Sequence, residues 1–268
     1  MEGTGMIAGM AANAQVFFLI FARIMALVET APLLSSDSVP QIAKVGLAFL
    51  SSFLVFPWVL AAGYPVPDLG LDYALLAAGE ALIGVLVGFF LVLVYSVFQL
   101  AGQFYSLQMG FGASEVFDPL AQIEIPIVGQ FLNLIAMMVF LLVGGFQKIF
   151  FVGVYRSFEA MRALDLVLHR NDIVRMALQG MTRLFEQSLV ISFPILGILF
   201  LLSVTTGLLA KAAPQMNLLT LGFPLSIGTA FIVLFLMLPI LAEIFSAVID
   251  YGFDGLLRML STIWEARP

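Results

Sequence analysis

Four ionisable side chains stand inside otherwise apolar stretches of this 268-residue chain: Arg23, Glu29, Glu80 and Glu243. A charge at mid-bilayer costs about 2.5–3.5 kcal/mol on insertion scales, so such groups face a protein interior, a partner or water, and not lipid. Two kinds of chemistry use them. One is ion pairing across helices or between subunits; the other is a proton or ion relay, which needs several acids converging on one path. Arg23 and Glu29 are six residues apart, too far round a helix to meet as residues three or four apart do. Pairing of Arg23 with Glu80, on a different helix, is therefore the expectation. Covalent and metal chemistry have little to work with. The chain has no cysteine and one histidine, His169 beside Arg170, so no catalytic residue, no metal ligand set and no cofactor site is expected. No phosphate-binding glycine loop precedes a Lys and Ser or Thr. Gly110 and Gly112 lack the strand-turn-helix context of a dinucleotide fingerprint.

A second unusual stretch runs from Gly102 to Pro126. It interleaves Gly102, Gly110 and Gly112 with Phe104, Tyr105, Phe111 and Phe117, adds Gln103, Gln108, Ser114, Glu115, Asp118 and Glu124, and holds no basic residue. Glycine permits close approach and left-handed backbone, whereas aromatic rings leave water readily. Two arrangements satisfy this composition equally. A loop at membrane depth, lining or plugging a pore, would use its rings to constrict and dewet the passage. An interfacial loop would instead rest its rings at the headgroup belt.

The elements that must carry these residues are apolar helices. Hydrophobic residues make up 62% and charged residues 10% of the chain, and the mean hydropathy is +1.11. Soluble domains run at about 45–50% apolar and 25% charged. The apolar residues come in blocks long enough to cross a bilayer, which takes about 20 residues. Six helices are expected, near 14–34, 42–62, 73–100, 126–146, 184–210 and 218–249. Ser35 to Ser38 before Pro40 marks the first turn, and Gly63, Pro65, Pro67, Asp68 and Gly70 the second. The expected class is all-α, a polytopic membrane protein forming one integral membrane domain over residues 1–268, since no segment between the apolar blocks is long enough for a core of its own. Met1 to Gln15 hold Glu2 and no Lys or Arg, unlike the basic start of a secretory signal, so the stretch from Phe17 reads as a retained first helix. A net charge of −6 excludes attraction to nucleic acid.

Basic residues set the expected orientation, because cytoplasmic flanks carry the excess. Lys148, Arg156, Arg162, Arg170, Arg175 and Arg183 lie between the fourth and fifth apolar blocks and Arg258 and Arg267 near the C-terminus; Lys44 and Lys211 fall opposite. The 155–183 stretch spaces Val167, Val174, Leu178 and Met181 helically among charges, which predicts a helix lying on headgroups, with a partner-docking face as the lesser alternative. Gly84 and Gly88 give a small-xxx-small spacing that lets another helix come close.

One segment is more specific than any of this. Lys211, Ala212, Ala213, Pro214, Gln215, Met216, Asn217 and Leu218, followed by Leu221, Gly222, Phe223, Pro224 and Leu225, resembles the signature of the FliR family of type III export-gate subunits, flagellar and virulence. Arg23 and Pro32, Pro40 and Lys44, Glu80 and Gly84, then Gly102, Gln108, Gly110 and Asp118, and Pro194 follow in the order of that family's other features. The resemblance implies a non-enzymatic subunit packed as bent helical hairpins in a multi-subunit ring. Its partners would be FliP, FliQ, FlhB and FlhA type subunits, its cargo unfolded export substrates, and its place the flagellar basal body in the bacterial inner membrane. It also implies that the plug loop falls on Met109, Gly110, Phe111, Gly112, Phe117 and Asp118, with Phe111 and Phe117 facing the closed pore. Gln215 and Asn217 would hydrogen-bond the open backbone beside Pro214, an ordinary hairpin being equally compatible, and Pro239 and Glu243 mark a bend in the sixth helix. A secondary solute transporter is the alternative from another class, and it would show an inverted repeat between its halves; none is evident.

Overall fold

A computed structural model describes residues 2–64, 66–67, 70–110, 127–213 and 218–265. The fold is all-α, without strands among the described residues. In chain order the helices are α1 (Glu2–Thr30), α2 (Gln41–Ala61), α3 (Gly70–Met109), α4 (Ile127–Leu142), α5 (Gly145–Lys148), a π-helical stretch (Ile149–Arg156), α6 (Ser157–Ala160), α7 (Ala163–Leu168), α8 (Arg170–Ala212) and α9 (Leu218–Glu265). Five helices are long and apolar enough to cross a membrane, and a sixth crossing exists if the broken stretch from Val128 to Ala160 counts as one.

Several boundaries differ from the hydropathy reading, for one reason. Apolar transfer energy ends where water begins, but a backbone hydrogen-bond ladder continues until a residue breaks it. So α3 runs on through Gln103, Tyr105 and Gln108 to stop at Gly110, whose φ of +93° is left-handed. Residues 102–109 are helix and not loop. Likewise α8 starts at Arg170, before its apolar block, and α9 runs past Ile249 to Glu265. The first helix stops sooner than expected, at Thr30, which leaves Pro32 in the turn rather than in the helix. Gly144, at φ +69°, splits the fourth apolar block. Nor is the 155–183 stretch one surface helix. It breaks at Met161 and Arg162, both extended, and again at His169, and the exposed Val174, Leu178 and Met181 belong to the start of α8.

The chain divides into two compact units: residues 1–93, 144–180 and 250–268 form one, and residues 94–143 and 181–249 the other. In the first, α1 buries Leu19, Ile20, Arg23, Ile24 and Leu27, a helical stripe that Ala31 just past its end continues. Gly84 and Gly88 of α3 receive this stripe. A Cβ on Gly84 would sit 2.1 Å from the Arg23 carbonyl oxygen, and one on Gly88 1.8 Å from Thr30 Oγ1. The contacts advance together along both helices, so α1 and α3 run parallel, as two helices separated by an antiparallel third must. Phe17 meets α2 edge-on at Phe49 and Phe56, with ring centroids 5.3 and 5.8 Å away.

In the second unit Gly102 of α3 abuts Gly129 of α4, where a Cβ would stand 2.1 Å from the Gly129 Cα. Phe98 packs on Phe245 at 4.4 Å between centroids. The Tyr105 hydroxyl donates to the Ile191 carbonyl at 2.9 Å, and the Ser192 hydroxyl reaches the Ala101 carbonyl at 3.4 Å. These polar contacts are to backbone, as expected where few polar side chains are present.

Apolar surface is abundant outside both cores. Along α2, Ile42, Phe49, Leu50, Phe53 and Leu54 are exposed, and along α8, Phe185, Phe193, Phe200, Leu201 and Leu208 are too. Leaving one such side chain in water instead of burying it costs about 1.5–3 kcal/mol. The protein is membrane-embedded, and lipid or partner protein covers these faces.

Candidate functional site

The most concentrated polar chemistry lies in the first unit, around Arg23. Its position in the buried stripe of α1 leaves it 1% exposed, so every donor of the guanidinium needs a partner. Nε and Nη2 contact Glu80 Oε2 at 2.6 and 2.5 Å. Nη2 also donates to the Met161 carbonyl at 2.9 Å, Nη1 reaches Ser157 Oγ at 3.4 Å, and the guanidinium carbon lies 3.9 Å from the Phe158 ring centroid. Glu80 is equally buried. Its second oxygen, Oε1, accepts from the Tyr64 hydroxyl and from the Ala163 backbone N–H at 3.2 Å.

The arrangement explains the helix break at 161–162. A helix that ends leaves carbonyls unsatisfied, and one that begins leaves N–H groups unsatisfied. Arg23 takes the carbonyl just past the end of α6, and Glu80 takes the first N–H of α7. Each charge has the sign that the helix end next to it favours, positive at a C-terminus and negative at an N-terminus. The pair thus joins α1 to α3 and caps two chain ends as well. The Arg162 guanidinium stands 5.8 Å from the Tyr64 ring, and Asp165 accepts from the Arg162 N–H at 2.7 Å. Burial, then the neighbouring Glu80 charge, pushes the Tyr64 phenol far above its usual value, so it stays a donor.

Glu29 has a different partner, which the sequence reading did not identify. Lys44 of α2 approaches it at 3.4 Å and donates to the Ser35 carbonyl at 3.2 Å, while Gln41 also donates to Glu29. By sequence Lys44 is a flanking charge, whereas in the fold it is 6% exposed and faces α1 across the 31–40 turn. The signal was present in the short turn, which forces α2 back along the end of α1. Glu243 is exposed on α9, and among the described residues it makes no ion pair. α9 is one continuous helix through both Pro224 and Pro239.

Of the expected pore loop, Met109 and Gly110 are described. Met109 is 2% exposed, in the core of the second unit. Gly110 lies under the Phe223 ring, with a Cβ there falling 2.4 Å from Cδ1. Phe111, Gly112, Phe117 and Asp118 lie outside the described residues, as do Pro214, Gln215, Met216 and Asn217. Among the described residues no three His, Cys, Asp or Glu side chains gather as a metal site would need.

The family described as Bacterial export proteins, family 1, matches residues 14–251. The chain is 33% identical over 198 residues to the flagellar biosynthetic protein FliR of Borreliella burgdorferi, covering 74% of this chain and 73% of that protein. It is 28% identical to the Bacillus subtilis protein of that name, covering 92% of this chain and 95% of the relative, and 28% identical to the Escherichia coli one, covering 94% of each.

Proposed function

Since the chain belongs to the bacterial export proteins, family 1, we propose that it is a non-enzymatic subunit of a flagellar type III export gate in the bacterial inner membrane. With FliP and FliQ type subunits it forms the channel through which unfolded flagellar subunits cross the inner membrane, beside FlhB and FlhA type components. The observation that carries this reading is the family match, which includes every long apolar helix or most of it and runs at 28–33% identity into flagellar biosynthetic proteins of comparable length. The exposed apolar faces of α2 and α8 support it, because a subunit of a ring needs such surface for neighbours as well as for lipid. A flagellar rather than a virulence system is favoured by those relatives, and the solute-transporter reading has no observation in its favour.

In this reading the subunit supplies a gated conduit and no chemistry. The segment after Gly110 closes the pore with Phe111 and Phe117, whose rings exclude water and ions while the loop is in place. Gly110 and the packed Phe223 form its root. The test is ion conductance of the assembled complex carrying Phe111→Ala and Phe117→Ala. Leakage above background with assembly intact is the expected result, and background conductance would refute the plug assignment. Motility and filament-protein export by cells lacking the endogenous protein, restored by this chain, test the export role separately.

A further inference from the structure

The first unit holds a cleft of about 440 Å³ that none of this function uses. Arg156, the last residue of the π-helical stretch, and Arg258 of α9 line it, together with Glu159, Ser261 and an apolar wall that includes Leu257 and Leu260. Two guanidiniums in one concavity run against the net charge of −6. Arg156 Nη1 donates to Glu159 at 2.8 Å, which engages one of the five N–H groups and leaves the rest of the fork open. Arg258 makes no side-chain hydrogen bond or ion pair among the described residues, nor does Asp254 one turn before it. The two arginines against Glu159 leave the cleft with one positive charge.

We propose that this cleft binds the phosphodiester headgroup of an anionic phospholipid such as phosphatidylglycerol. A planar guanidinium fork matches the paired oxygens of a phosphate, and the Ser261 hydroxyl adds a donor. One net positive charge suits a singly charged diester. The leucine wall would be idle against a free inorganic ion but suits the glycerol and the first methylenes of a lipid, and basic pockets between membrane helices are known to hold such headgroups. The site lies on a chain whose exposed surface is already apolar, where lipid is the solvent at hand.

The test uses the full chain purified in a non-ionic detergent and offered phosphatidylglycerol, phosphatidylcholine or inorganic phosphate, with bound lipid counted by native mass spectrometry and stability followed by melting. Phosphatidylglycerol is expected to be retained and to raise the melting temperature, and the other two are not. Arg258→Gln should lower retention about tenfold, the scale of one lost hydrogen bond to a charged group, without changing helix content. Arg258→Lys should keep most of it. Lys211→Gln, which removes an exposed cation outside the cleft, should leave it unchanged. Retention by Arg258→Gln equal to the parent would overturn the proposal, and so would an equal loss in Lys211→Gln. Stabilisation by inorganic phosphate as large as that by the lipid would show a free-anion site and overturn the lipid assignment.

Discussion

Glu80→Gln keeps the volume and the acceptor oxygen of the side chain but removes its charge, leaving the Arg23 guanidinium at 1% exposure without a counter-ion. Removing one partner of a buried pair costs about 3–5 kcal/mol, because the orphaned charge keeps its desolvation cost and loses the attraction that offset it. At about 2–4 °C per kcal/mol for a chain of this order of size, the melting temperature should fall by ~6–20 °C. Intrinsic fluorescence or size-exclusion chromatography of heated detergent samples reads this directly. Arg23→Met with Glu80→Met supplies the decisive comparison. Both charges are gone, so the double variant should melt above either single methionine variant, held down by the lost caps at Met161 and Ala163, each about 1–3 kcal/mol, and by the Tyr64 and Ser157 hydroxyls left without their partners. The resulting coupling should exceed about 1 kcal/mol. A Glu80→Gln protein that melts with the parent, or a double variant whose loss equals the sum of the singles, would refute the reasoning. The swap Arg23→Glu with Glu80→Arg should recover little, since each helix end would then face a charge of the wrong sign.

Gly84→Ala should destabilise by about 1–3 kcal/mol, because its Cβ would overlap the Arg23 carbonyl and push α1 from α3. Gly197→Ala, with open space at its Cβ, should stabilise α8 by up to about 1 kcal/mol; melting of both variants checks the contrast. Gly110→Ala meets both a left-handed backbone and the Phe223 ring, and should cost about 1–2 kcal/mol from the backbone alone and, on the proposed plug, raise conductance of the assembled complex. Adding Phe223→Ala relieves the ring but not the backbone, so recovery should be partial. Tyr64→Phe should cost about 1.5–3 kcal/mol in the melting assay at neutral pH, the scale of a hydrogen bond to a charged acceptor. Because the folded protein raises the Tyr64 phenol above its unfolded value near 10, its contribution is full below pH 10 and is lost as pH rises beyond it. Tyr64→Phe should flatten the stability profile over that alkaline range, and an unchanged slope would count against the buried phenol.

The charged residues show where sequence reading reaches and where it stops. That Arg23 needs a partner follows from its place among Leu19, Ile20, Ile24 and Leu27, and helical spacing, by excluding Glu29, points to an acid on another helix, which the structure shows to be the expected Glu80 and not Glu243. That the same two side chains cap α6 and α7 was not legible. The cap depends on a break 138 residues beyond Arg23 and 83 beyond Glu80 coming within hydrogen-bond reach, and no local pattern encodes such a meeting. Lys44 follows the same rule: beside a proline turn its sequence position is that of a flanking charge, and only the return of α2 along α1 buries it against Glu29.

By itself the sequence determined the solvent, the class and the family. Apolar blocks of bilayer length admit helices in lipid and little else, and the Pro214 to Asn217 segment carried the family resemblance without any structure. Tertiary structure alone decided where helices end, which helices touch and which charges meet. Hydropathy measures transfer from water, one residue at a time, whereas helix ends depend on hydrogen-bond continuity and a buried ion pair on the geometry of chain segments far apart in sequence.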